Sequence, residues 1–107
     1  MTDEGDLEEV VELTRDLVRI DTSNPPGRET AAARHLLAYM EDAGAECELA
    51  GPDPERLNLI ARVRGTGQGP SLMLMGHTDV VPAPAGNWTV DPFEGGIRDG
   101  RIIGRGS

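Results

Sequence analysis

His77 and Asp79 stand two residues apart, just after the apolar run Leu72, Met73, Leu74, Met75 and the single residue Gly76. In an extended segment, residues i and i+2 point the same way, so an imidazole and a carboxylate emerge side by side. Three chemistries could use such a pair. In a Ser-His-Asp hydrolase the pair would serve a nucleophile, yet no Gly-x-Ser-x-Gly elbow occurs, and Ser107 stands in Gly-Arg-Gly-Ser. General acid–base catalysis requires both groups to reach one substrate proton, which spacing alone does not establish. In a metal site, the neutral imidazole would bind through one nitrogen while the carboxylate holds the N–H of the other. By itself His-x-Asp is a weak motif, and a histidine that merely ends a strand would look the same.

The elements that must position this pair are legible in outline. Residues 72–75 are apolar without alternation, the pattern of a strand buried on both faces. In open α/β sheets, ligands bind at the carboxyl ends of such strands. Upstream, Asp6 with Glu9 has capping-box form. Leu7, Val10, Val11, Leu17 and Val18 then recur at helical spacing, predicting a helix to about Ile20. Pro25 and Pro26 force a loop over residues 21–27. A second helix is predicted over 29–43, with Ala33, Leu36, Leu37 and Met40 as its buried stripe and Gly44 as its stop. His35 falls beside that stripe and reads as structural or solvated.

Cys47 and Leu49 alternate with Glu46 and Glu48, and Leu57, Leu59, Ala61 and Val63 alternate further on, predicting two strands with one wet face each. Cys47 then lies on the apolar side as an inert thiol. Residues 65–70 read as a connection, without the Lys-Ser/Thr of a phosphate loop. Trp88, Pro92 and Phe93 are the bulky groups of a polar stretch and read as core plugs. Asp99-Gly100 between Ile97 and Ile102 is the signature of a two-residue hairpin turn. The fold class expected is α/β, two helices and a mixed β-sheet, with 1–107 the N-terminal portion of a single catalytic domain.

Composition narrows the partners. A net charge of −9 argues against nucleic acid and anionic membranes. No apolar run approaches the ~18–20 residues a membrane span requires. One cysteine cannot form an internal disulfide, and the acidic N-terminus has no apolar signal region, so the cytoplasm is the expected location. With fourteen glycines, eight prolines and 3% aromatics, the core supply is thin for a chain of 107 residues.

Three further stretches surround His77 in a recognisable order: Gly76-His77-Thr78-Asp79-Val80-Val81-Pro82, Trp88-Thr89-Val90-Asp91-Pro92-Phe93, and Asp99-Gly100-Arg101-Ile102-Ile103-Gly104-Arg105-Gly106-Ser107. Together with Asp21-Thr22-Ser23-Asn24-Pro25-Pro26-Gly27, they resemble the zinc-dependent aminoacylase/carboxypeptidase family, which includes acetylornithine deacetylase, succinyl-diaminopimelate desuccinylase and glutamate carboxypeptidase. The likeness runs from about Val10 to Ser107.

The resemblance implies a zinc-peptidase-like catalytic α/β domain that holds two zinc ions, with cobalt or manganese as replacements. In many members a smaller dimerisation domain interrupts it, so a homodimeric parent is expected. It further implies that His77 is a metal ligand and that Asp79 is the catalytic aspartate supporting it. The reaction implied is metal-assisted hydrolysis of amide bonds in N-acyl amino acids or small peptides. The family's bridging aspartate, general-base glutamate and remaining ligands would follow Ser107, so these residues alone are expected to be inactive and not to retain the metal. The alternative is a non-catalytic binding or regulatory protein on the same scaffold that has lost its metal site.

Overall fold

The structure, a computed structural model, describes residues 3–107. The chain order is α1 (Glu4–Arg19), α2 (Thr30–Asp42), β1 (Glu46–Ala50), β2 (Asn58–Arg62), a 3₁₀ turn (Ala85–Asn87), β3 (Gly96–Arg98) and β4 (Arg101–Ile103). Helices and strands are therefore both present, as an α/β class requires. The strands form two antiparallel ribbons, β1 with β2 and β3 with β4, and the parallel component is one bridge between Ser23 and Val80.

Two compact units divide the chain: residues 1–26 with 80–107, and residues 27–79. In the first, α1 begins three residues earlier than its sequence signature suggested. Asp3 is the N-cap, its side chain accepting from the Asp6 backbone N–H while Asp6 answers as the third helical residue. A carboxylate at either position satisfies the same orphan donors, so the pattern Asp-x-x-Asp served in place of Asp6 and Glu9.

Downstream residues wrap onto this helix. Arg15 Nε donates to the Gly95 carbonyl at 2.8 Å and Arg19 Nε to that of Glu94 at 3.1 Å. Val18, the buried residue of the helix, meets Gly104, where a Cβ would collide with its Cγ1. The β3–β4 hairpin turns at Asp99 and Gly100, with φ of 51° and 72°. Both are left-handed, as a type I′ turn demands, so the Asp-Gly reading holds. Pro92 is buried, Trp88 and Phe93 are half-buried, and the Arg105 guanidinium lies 5.2 Å from the Trp88 ring centre. The loop before Pro25 is tied in by backbone bonds from Val80 N to Thr22 O, 3.2 Å, and from Asn24 N to Val80 O, 2.8 Å.

The second unit is a helix on a β-ribbon. Pairing sets Cys47 opposite Ala61 and Leu49 opposite Leu59, so the apolar positions of both strands share one face, and α2 packs against both strands. Buried Ala32 and Ala33 of α2, together with Ala45, form its small core, while Leu36, Leu37 and Met40 are half-buried. Thr30 fastens the start of α2 to the turn before β2. Its hydroxyl donates to the Pro54 carbonyl at 2.7 Å and accepts from Leu57 N–H at 2.9 Å.

The apolar run before His77 differs from the expectation. Residues 72–75 are not in a strand, and Leu72, Met73, Leu74 and Met75 are 77–86% exposed. A segment apolar on both faces becomes a buried strand only when neighbours take its backbone groups and cover both faces. Among the described residues, no strand pairs with it.

Candidate metal-ligand pair and its relatives

His77 and Asp79 meet as their spacing foretold. His77 Nδ1 lies 2.9 Å from the Asp79 carboxylate Oδ1 and 2.9 Å from the Asp79 backbone carbonyl. Both partners are acceptors, so the proton belongs on Nδ1 and the Nε2 lone pair is left for a ligand. The imidazole is 84% exposed, so that nitrogen is open to approach. A carboxylate that fixes the tautomer of a histidine in this way is the usual companion of a metal-bound imidazole. An imidazole with a free Nε2 and a carboxylate on Nδ1 is a donor arrangement compatible with one corner of a metal site. Among the described residues, no three His, Cys, Asp or Glu side chains gather closely enough to hold an ion.

Behind Asp79 stands an ion network that the sequence did not announce. Glu29, at the N-cap of α2, has a side chain only 9% exposed. Arg56 grips its carboxylate with two nitrogens, Nη2 to Oε1 at 2.7 Å and Nε to Oε2 at 3.0 Å. The same Nη2 lies 4.0 Å from Asp79 Oδ2. The hydrogen bond from Arg56 holds the Glu29 carboxyl below its ordinary pKa, although burial opposes it. Glu29 in turn keeps Arg56 more firmly protonated. Gly27 admits this arrangement: its φ is +84°, and a Cβ there would lie 2.7 Å from Arg56 Cζ. Glu29 and Arg56 are 27 residues apart, and no local pattern marks such a pair.

Residues 73–107 match the sequence model of peptidase family M20/M25/M40, a stretch that opens just before His77 and runs to Ser107. Similarity to curated proteins extends over most of this chain. The chain is 41% identical over 102 residues to the succinyl-diaminopimelate desuccinylase of Rhodospirillum centenum, covering 91% of this chain and 25% of that protein. The chain resembles peptidase family M20. Desuccinylases of Cupriavidus pinatubonensis (43% over 101 residues; 89% of this chain, 26% of that protein) and Delftia acidovorans (39% over 107 residues; 94% and 27%) are similarly alike. The chain thus spans about a quarter of the length of the curated relatives it matches.

His35, read from the sequence as structural, sits half-buried on α2. Cys47 is half-buried too, and its thiol is pushed up by desolvation first and by the Glu41 carboxylate second. No helix among the described residues is long and apolar enough to cross a membrane.

Proposed function

We propose that the protein to which these residues belong is a metal-dependent hydrolase of amide bonds in N-acyl amino acids, with N-succinyl-diaminopimelate the first substrate to try and small peptides the next. The observation that carries this reading is the His77–Asp79 contact at 2.9 Å, inside a stretch matched by the M20 family. Similarity of about 40% to three desuccinylases supports the acyl-group preference.

In this reading His77 offers Nε2 to a zinc ion, one of two, with cobalt or manganese able to replace it. Asp79 keeps the proton on Nδ1, fixes the ring orientation and raises the basicity of the ligating nitrogen. A bound metal supplies Lewis acidity toward water and toward the scissile carbonyl. Catalytic zinc ordinarily takes three protein ligands, so the site is completed by residues beyond this pair, and residues 1–107 alone are inactive. A cytoplasmic location and a homodimeric parent belong to the same proposal.

Assay of the full-length protein against succinylated, acetylated and dipeptide substrates, with and without a chelator, tests it. Chelator-sensitive hydrolysis of one class is expected. Hydrolysis that survives complete metal removal would overturn the mechanism. Tight binding of an acyl amino acid without turnover would instead identify a binding protein on the same scaffold.

A further inference from the structure

We propose that Arg56, held by Glu29, is a positioning residue for Asp79 and through it sets the metal affinity of His77; the proposal rests on the metal-ligand reading above. The two oxygens of Asp79 face different neighbours. Oδ1 meets His77 Nδ1 at 2.9 Å, and Oδ2 faces Arg56 Nη2 at 4.0 Å. The second distance is a charge contact rather than a hydrogen bond. It orients all the same, because the guanidinium itself cannot wander. Nε and Nη2 are both bonded to one largely buried carboxylate, and the planar fork makes that grip geometrically specific.

The arrangement places one cation between two carboxylates. Glu29 alone would need only one arginine edge, and any surface arginine could supply it. Here the same nitrogen that closes the contact to Glu29 is also the one nearest Asp79. Gly27 clears the volume through which the guanidinium passes. Outer partners of metal ligands act by fixing orientation and basicity, and their removal weakens metal affinity or activity about 10- to 100-fold.

The test uses the full-length protein and its zinc dissociation constant, measured by competition with a chelating dye. The variants are Arg56→Gln, Arg56→Lys, Asp79→Asn and the double variant Arg56→Gln/Asp79→Asn. Arg56→Gln is expected to weaken zinc about tenfold, and Arg56→Lys to recover part of that loss, because charge returns but the fork does not. The double variant is expected to bind zinc no more weakly than Asp79→Asn alone, since Arg56 acts through Asp79. Should Arg56→Gln leave Glu29 unpaired and the protein unfolded, Glu29→Gln/Arg56→Gln removes both charges together and is expected to show the same loss in a folded protein. An unchanged zinc constant in the folded variants, or losses that simply add, would overturn the proposal. Zinc binding by the wild type that is indifferent to His77→Ala would instead overturn the functional reading beneath it.

Discussion

His77 directs Nδ1 at Asp79 twice, at 2.9 Å to the carboxylate and 2.9 Å to the backbone carbonyl of the same residue. Two acceptors on one nitrogen leave a single tautomer, so the exposed ring carries its lone pair on Nε2. A residue two positions along the chain thus decides which atom of the histidine is available for chemistry.

Asp79→Asn tests the carboxylate's share of that control. The amide keeps the shape but lowers the acceptor strength at Oδ1, so metal affinity and turnover in the full-length protein are expected to fall about 10- to 100-fold. Zinc content of the purified variant and its hydrolysis rate read the effect. Unchanged values would mean that the backbone carbonyl alone suffices to hold the ring.

Acid sensitivity should follow from Glu29. Its carboxyl is held below the ordinary value by Arg56, so the folded state binds its proton less readily than the unfolded chain. The resulting stability is fully present above the unfolded pKa and is lost as pH falls through the lower, folded one. Denaturation of wild type and Glu29→Gln, compared from neutral pH down into the carboxylate range, should show a gap that narrows on acidification. A gap that is constant with pH would contradict the assignment.

Gly27→Ala is expected to destabilise the protein by about 1–2 kcal/mol, from the left-handed backbone alone. The Cβ would also press on Arg56, so zinc affinity should drop with stability. Chemical denaturation and the dye competition measure the two separately. An alanine variant with wild-type stability would show that neither the φ of +84° nor the close approach is required.

Cys47 should react slowly. Desolvation raises its thiol, and the Glu41 carboxylate adds to the effect, so the thiolate fraction at neutral pH lies below that of free cysteine. Labelling with a disulfide reagent is expected to be slower than labelling of a free cysteine at the same pH. Labelling as fast as free cysteine would place the thiol in a more polar setting than the apolar face of β1.

Local chemistry was legible in the sequence where it is set by neighbours along the chain. The hairpin at Asp99-Gly100 needed only two left-handed positions, and the two strands holding Cys47 and Leu49 and holding Leu59 and Ala61 followed from alternation, while their pairing register is set by the fold. The meeting of His77 with Asp79 followed from a spacing of two. Residues 72–75 were misread because a strand is a property of its partners as much as of its own side chains. The Glu29–Arg56 grip escaped notice for a related reason. Glutamates and arginines are common in this chain, and only the fold brings this pair together across 27 residues.

Replacing the imidazole itself is the most direct trial of the central claim. In the full-length protein, His77→Ala should lose bound zinc as read by elemental analysis, and hydrolysis of the best substrate should fall at least ~10³-fold, because the metal carries the main activation of water and carbonyl. A His77→Ala protein with wild-type zinc content and an undiminished rate would contradict it.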